Sequence, residues 1–135
     1  MVARCLNDSG VGDSGRAVIV DLDGTLVRVN TLHLYLRMGL RRLIRRCALH
    51  RAAAVAALLL LRKLHLISHE AMKYRSIALI GDDAEFKADF ARRVAGLHND
   101  AVERYLAEAR ECGCRVLLAT AAAGDYVPLL WSGDY

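Results

Sequence analysis

Apolar residues fall into two kinds of run along this chain. Ala17-Val18-Ile19-Val20 is short, continuous and rich in β-branched residues, and it opens into Asp21-Leu22-Asp23-Gly24. A run of that kind, ended by a polar turn with glycine, predicts a buried strand. Arg115-Val116-Leu117-Leu118-Ala119-Thr120 repeats the pattern and again ends in a small polar residue. A helix is predicted just before it. Asn99 or Asp100 caps its start, Val102, Tyr105, Leu106 and Ala109 share one face, and Gly113 suits its end. A helix leading into a second strand is the repeat of an α/β fold, with parallel strands near 17–21 and 115–120.

Between the two strands the spacing turns helical. Leu36, Leu40, Leu43, Ile44 and Cys47 recur at helix period, with Arg37, Arg41, Arg42, Arg45 and Arg46 on the other side. Ala52 to Leu61 is then uninterruptedly apolar. A bilayer span takes about 20 residues, so this stretch is too short to cross. Its even apolarity predicts a helix covered on several sides, or one docked on a partner or a membrane surface. Ser68 and Asp83 are placed to cap two more helices, the first through Met72, Ile77 and Leu79 and the second with Phe86, Phe90, Val94 and Leu97 on one stripe. A last helix is predicted from near Asp125, with Pro128 in its first turn. The first sixteen residues are polar and glycine-containing and predict a mobile leader. The resulting division is a leader over 1–16, an α/β core from 17–29 and 98–135, and a helical insertion over 30–97.

Composition adds bounds. The 135 residues suffice for one domain with an insertion, and the single proline argues against a long extended linker. The leader lacks the apolar centre of a secretory signal. Cys5, Cys47, Cys112 and Cys114 show no framework spacing, so reduced thiols and a cytoplasmic location are expected. Cys112-Gly113-Cys114 reads as a helix end before a strand, since two thiolates do not complete a zinc site. His65 and His69 are separated by a break and read as local residues. The net charge of +4 is unevenly spread: from Arg37 to Lys63 there are eight Arg or Lys and no acid. That stretch suits either a solvated helix face or peripheral contact with a membrane surface. Aromatics are too sparse for base stacking, and no nucleic-acid partner is expected.

The sharpest chemical feature is Asp21-Leu22-Asp23-Gly24-Thr25-Leu26. Carboxylates at i and i+2 leaving a strand end can converge on one small volume, where their repulsion is costly unless a cation sits between them or one is protonated. Mg²⁺ accepts one or two carboxylates together with phosphate and water. Gly24 permits a tight turn and close approach of a ligand.

Asp-x-Asp-Gly-Thr-Leu after a strand resembles the first motif of the haloacid dehalogenase superfamily. The resemblance implies a Rossmann-like core and Mg²⁺-dependent hydrolysis of a small-molecule phosphate ester through an aspartyl-phosphate. Asp21 would be the nucleophile and a metal ligand. Asp23 would be the general acid/base and a metal ligand through its backbone carbonyl. Leu117-Leu118-Ala119-Thr120-Ala121 resembles the second motif, with the Thr120 hydroxyl and the Ala121 N–H holding phosphoryl oxygen. Gly24, Thr25, Thr120 and Ala121 are thus the implied phosphate-binding set, and Asp21 and Asp23 the implied metal and catalytic set. A helical insertion between the two motifs resembles the cap that selects substrate in the phosphoserine-phosphatase-like branch, and Asn30-Thr31 lies where such a cap carries polar residues toward substrate.

The chain also departs from that pattern. The family's third motif, a Lys or Arg, and its fourth, an acidic cluster, normally follow the second, yet the fifteen residues after Thr120 contain no Lys or Arg. Gly81-Asp82-Asp83 imitates the fourth motif but precedes the second and reads as a helix N-cap. The expectation is a C-terminally truncated member with little turnover of its own. Its unpaired strand edges would favour self-association. Three other readings stay open: a non-catalytic phosphate-binding module, a membrane-surface module, and a phosphotransferase or mutase using the same covalent intermediate.

Overall fold

The computed structural model describes the backbone of residues 5–6 and the whole of residues 17–131. The elements run β1 (Cys5–Leu6), β2 (Ala17–Asp21), α1 (Thr31–Arg45), α2 (Leu49–Lys63), α3 (His69–Ile80), α4 (Ala84–Ala95), α5 (Asp100–Glu111), β3 (Arg115–Ala119) and α6 (Val127–Leu130). They form two compact units: residues 31–92, and the segments on either side of them.

The strand-bearing unit holds a sheet of order β1-β2-β3. β2 and β3 pair in parallel, as expected of strands joined through helices, in the register Ala17↔Arg115 through Asp21↔Ala119. β1 pairs antiparallel with β2 through Cys5↔Val18 and Leu6↔Ala17. Those two residues therefore depart from the expected mobile leader, because β2's second edge offers main-chain donors and acceptors that they satisfy. The rest of that leader, 1–4 and 7–16, lies outside the described residues, as do 132–135.

Burial in β2 alternates. Val18 and Val20 are buried, whereas Ile19 is 42% exposed. The continuous apolar run predicts a buried strand. Its register partner β3 also buries Val116 and Leu118 while Leu117 stays half-exposed, so one face of this pair carries the packing. α5 packs on β3 and buries Leu106 and Ala109. Its end is a left-handed cap at Gly113 (φ 77°), where Gly113 N–H donates to Arg110 and Cys114 N–H to Ala109. The Cys-Gly-Cys segment is thus a helix stop leading into a strand. α6 begins at Val127, two residues later than Asp125, with Pro128 in its first turn.

In the helical unit α1, α2 and α3 pack on one another. Tyr35 meets Phe86 and Phe90 edge-on, with ring centres 5.0 and 5.1 Å apart. Gly39 lets α1 approach α3 closely against Ile80. The breaks around α2 have left-handed caps at residues that are not glycine: Cys47 (φ 53°) and His65 (φ 60°). In each, the amide of the left-handed residue and the one after it fold back on the helix, Cys47 to Ile44 and Ala48 to Leu43, then His65 to Arg62 and Leu66 to Leu61. Ser68 Oγ accepts from Ala71 N–H at 3.1 Å and caps α3 as expected.

Asp83 caps α4, with Oδ1 accepting from Phe86 N–H at 3.1 Å. Its other oxygen accepts from Arg42 at 2.5 Å and Arg46 at 3.1 Å. The Arg42 hydrogen bond, then the Phe86 amide, hold the Asp83 carboxyl down to about 2, below its ordinary value near 3.8. Gly81-Asp82-Asp83 is therefore a helix start tied to α1, not a metal motif.

Two boundaries differ from the sequence pattern. The compact helical unit spans Thr31–Arg92, against an expected insertion over 30–97. Leu97 belongs with the strands because its carbonyl accepts from Arg28 N–H at 3.1 Å and its neighbour His98 bridges Val27. α2, expected to be either covered on several sides or docked on a partner or membrane surface, buries only Ala52 and Val55, against the first of these.

Candidate active site

The site begins where β2 and β3 end together. Asp21 closes β2 and stands opposite Ala119, the last residue of β3. Adjacent strands lie about 4.8 Å apart, so Thr120 leaves the sheet beside the Asp21–Asp23 segment. Ligands of open parallel sheets bind at this carboxyl end of the strands.

Residues after Asp21 fold into a tight loop held by its own backbone. Leu26 N–H donates to Asp21 at 3.1 Å, Val27 N–H to Leu22 at 2.9 Å and Gly24 N–H to Val27 at 2.7 Å. Gly24 takes φ 79°, and a Cβ built there meets no atom within 4 Å. The demand for glycine is thus conformational, and the space beside it is open to a ligand. Leu22, Leu26 and Val27 point into the core, while Asp21 is exposed and Asp23 and Thr25 are half-buried. The alternation anchors the loop by its apolar residues and leaves Asp21 exposed.

Sequence reasoning missed one residue here. Of the two residues the sequence offers as caps, Asn99 and Asp100, Asn99 occupies the N-cap position of α5, but its side chain makes no capping bond. Its amide donates to the Thr25 carbonyl at 3.3 Å, and its N–H to Leu26 at 2.9 Å. The start of α5 therefore braces the Asp-rich loop. An asparagine beside a strand-proximal helix start was the available signal, and cap propensity explained it equally well.

Thr120 Oγ1 accepts from Ala122 N–H at 3.0 Å. This local bond orients the hydroxyl and leaves its own hydrogen to donate. Ala121 is exposed in the turn that follows. No group of three or more His, Cys, Asp or Glu among the described residues is placed to hold a metal.

The sequence matches the haloacid dehalogenase-like hydrolase family over residues 18–130. The chain belongs to that family. As a haloacid dehalogenase-like chain it has the strand, the Asp-x-Asp loop and the second strand followed by Thr120. Comparison with curated proteins gives no match. Among solved structures it is similar to a phosphoserine phosphohydrolase-like protein from Francisella tularensis subsp. tularensis SCHU S4, at 16% identity and a TM-score of 0.51. That likeness covers 83% of this chain and 50% of the other, so the chain spans half the length of the protein it resembles. At this identity the likeness is one of fold.

Proposed function

We propose that this haloacid dehalogenase-like chain carries the nucleophile of a phosphatase site, acting on a small phosphate ester through an aspartyl-phosphate at Asp21. The observation that supports this is the parallel register: Asp21 opposite Ala119 brings the Asp-x-Asp loop and Thr120 out at one end of the sheet.

An Asp21 carboxylate oxygen attacks phosphorus while the bond to the leaving oxygen breaks, and Asp23 protonates that oxygen. The Asp23 carboxylate then takes a proton from water, the water oxygen attacks phosphorus, and Asp21 is released with inorganic phosphate. The Thr120 hydroxyl and the Ala121 N–H hold phosphoryl oxygens, and Gly24 and Thr25 present the loop backbone to them. The exposed Asp21 carboxylate beside the Asp23 backbone carbonyl fits Mg²⁺, which takes one or two carboxylates and completes its shell with phosphate and water. When bound, Mg²⁺ supplies charge neutralisation that lets a carboxylate approach a phosphate. Asp21 and the Asp23 carbonyl would hold it. The helical unit is read as the family's cap insertion.

Beryllofluoride binding with Mg²⁺, followed by fluorine NMR, tests this reading without requiring turnover. A bound signal that vanishes in Asp21→Asn is expected. A bound signal indifferent to Asp21→Asn would instead support a phosphate-binding module without covalent chemistry.

A further inference from the structure

We propose that the outer face of α2 is a docking surface for an anionic lipid bilayer. α2 turns Ala52 and Val55 inward. Leu49, Ala53, Ala56, Ala57 and Leu60, with Leu64 just past the helix end, recur at helical spacing on the adjoining side, and all are exposed. Leu49 is 61% and Leu60 and Leu64 are each 56% exposed. Leu66 in the next turn reaches 67%. A helix in a folded unit ordinarily sets polar residues on its solvent side, so a continuous aliphatic stripe there marks a surface with an occupant.

Charge selects the occupant. From Thr31 to His69 there are eight Arg or Lys and no acid. Arg42 and Arg46 are neutralised by Asp83 and Glu85. Arg37, Arg41, Arg45, Arg51, Arg62 and Lys63 form no ion pair among the described residues, although Arg51 and Arg62 fall across α2 from the stripe. Lys63 lies within a quarter-turn of the stripe, and Arg45 precedes the break that starts α2. A second copy of this face would set like charges against each other. A nucleic acid would want aromatic side chains to stack on, and the stripe is wholly aliphatic. An anionic bilayer accepts both features, aliphatic side chains in its acyl boundary and arginines at its headgroups. Among the described residues no helix is long and apolar enough to cross a membrane, so the contact is one of surface docking.

Flotation of the full chain with vesicles of equimolar phosphatidylcholine and phosphatidylserine tests this. Binding is expected, absent with phosphatidylcholine alone and weakened by salt. The exposed pair Leu60→Gln with Leu64→Gln should lower binding about tenfold or more. Lys63→Gln and Arg45→Gln should each lower it about fivefold. Arg104→Gln, an equal loss of charge on α5, should leave it unchanged, and circular dichroism confirms that each variant folds. Equal binding to neutral vesicles, no binding at all, or equal losses from Arg104→Gln and Lys63→Gln would overturn the proposal. Sedimentation showing a dimer dissolved by the leucine pair would assign the face to a second copy instead.

Discussion

Asp21 stands opposite Ala119 in the parallel register, one residue before Thr120. If Thr120 donates its hydroxyl hydrogen to phosphate from that position, Thr120→Val removes a bond to a charged group worth about 1.5–3 kcal/mol. Affinity for inorganic phosphate or beryllofluoride should fall roughly tenfold to a hundredfold, and Thr120→Ser should retain it. Titration calorimetry with Mg²⁺ present measures this; equal affinity in the valine variant would remove Thr120 from the site.

Gly24 at φ 79° closes the Asp-rich loop in a conformation that costs other residues about 1–2 kcal/mol. Because the space around its Cβ position is open, Gly24→Ala should lose about that much stability and no more. A chemical denaturation curve reads the difference.

Gly39 presents the opposite situation. A Cβ there would lie 2.4, 2.7 and 2.9 Å from three atoms of the Ile80 side chain, which is itself buried. Gly39→Ala gains roughly 1 kcal/mol of helix propensity but should be destabilising overall by about 1–3 kcal/mol through overpacking. In a double-mutant cycle Ile80→Ala should recover part of the loss, and additive effects would show that the two residues do not collide.

Cys47 and His65 occupy left-handed helix ends where glycine is at ease. The conformational relief, less the entropy glycine loses on folding, predicts that Cys47→Gly or His65→Gly stabilises by roughly 0.5–1 kcal/mol. Thermal melts should shift upward for each, and a downward shift would mean that these side chains make compensating contacts.

Asp83 predicts a pH response. Its carboxyl is held down to about 2 by Arg42 and the Phe86 amide, against about 3.8 when unfolded. The folded state therefore favours the ionised form, so the contribution is present above the ordinary carboxylate range and is lost as pH falls from about 4 toward 2. Asp83→Asn should flatten that part of the stability profile measured by urea unfolding.

Much of this protein was readable along the chain because its determinants are local. The strand before Asp21 and the strand before Thr120 were marked by short β-branched runs, and the caps at Ser68, Asp83 and Gly113 by side chains and glycine that act within four residues. The Asp-x-Asp-Gly-Thr spacing specifies a loop that bonds to its own backbone, and it pointed to the family before any coordinates did. Three features depended on residues distant in sequence. Asn99 braces Thr25 across seventy-four positions, Leu97 returns to Arg28, and α2 leaves a whole aliphatic face uncovered. Apolar periodicity reports which residues seek burial, but only the packing of α1, α2 and α3 decides which side of α2 is buried. Hydrogen-bonding side chains such as Asn99 are equally suited to several partners until the fold brings one within reach.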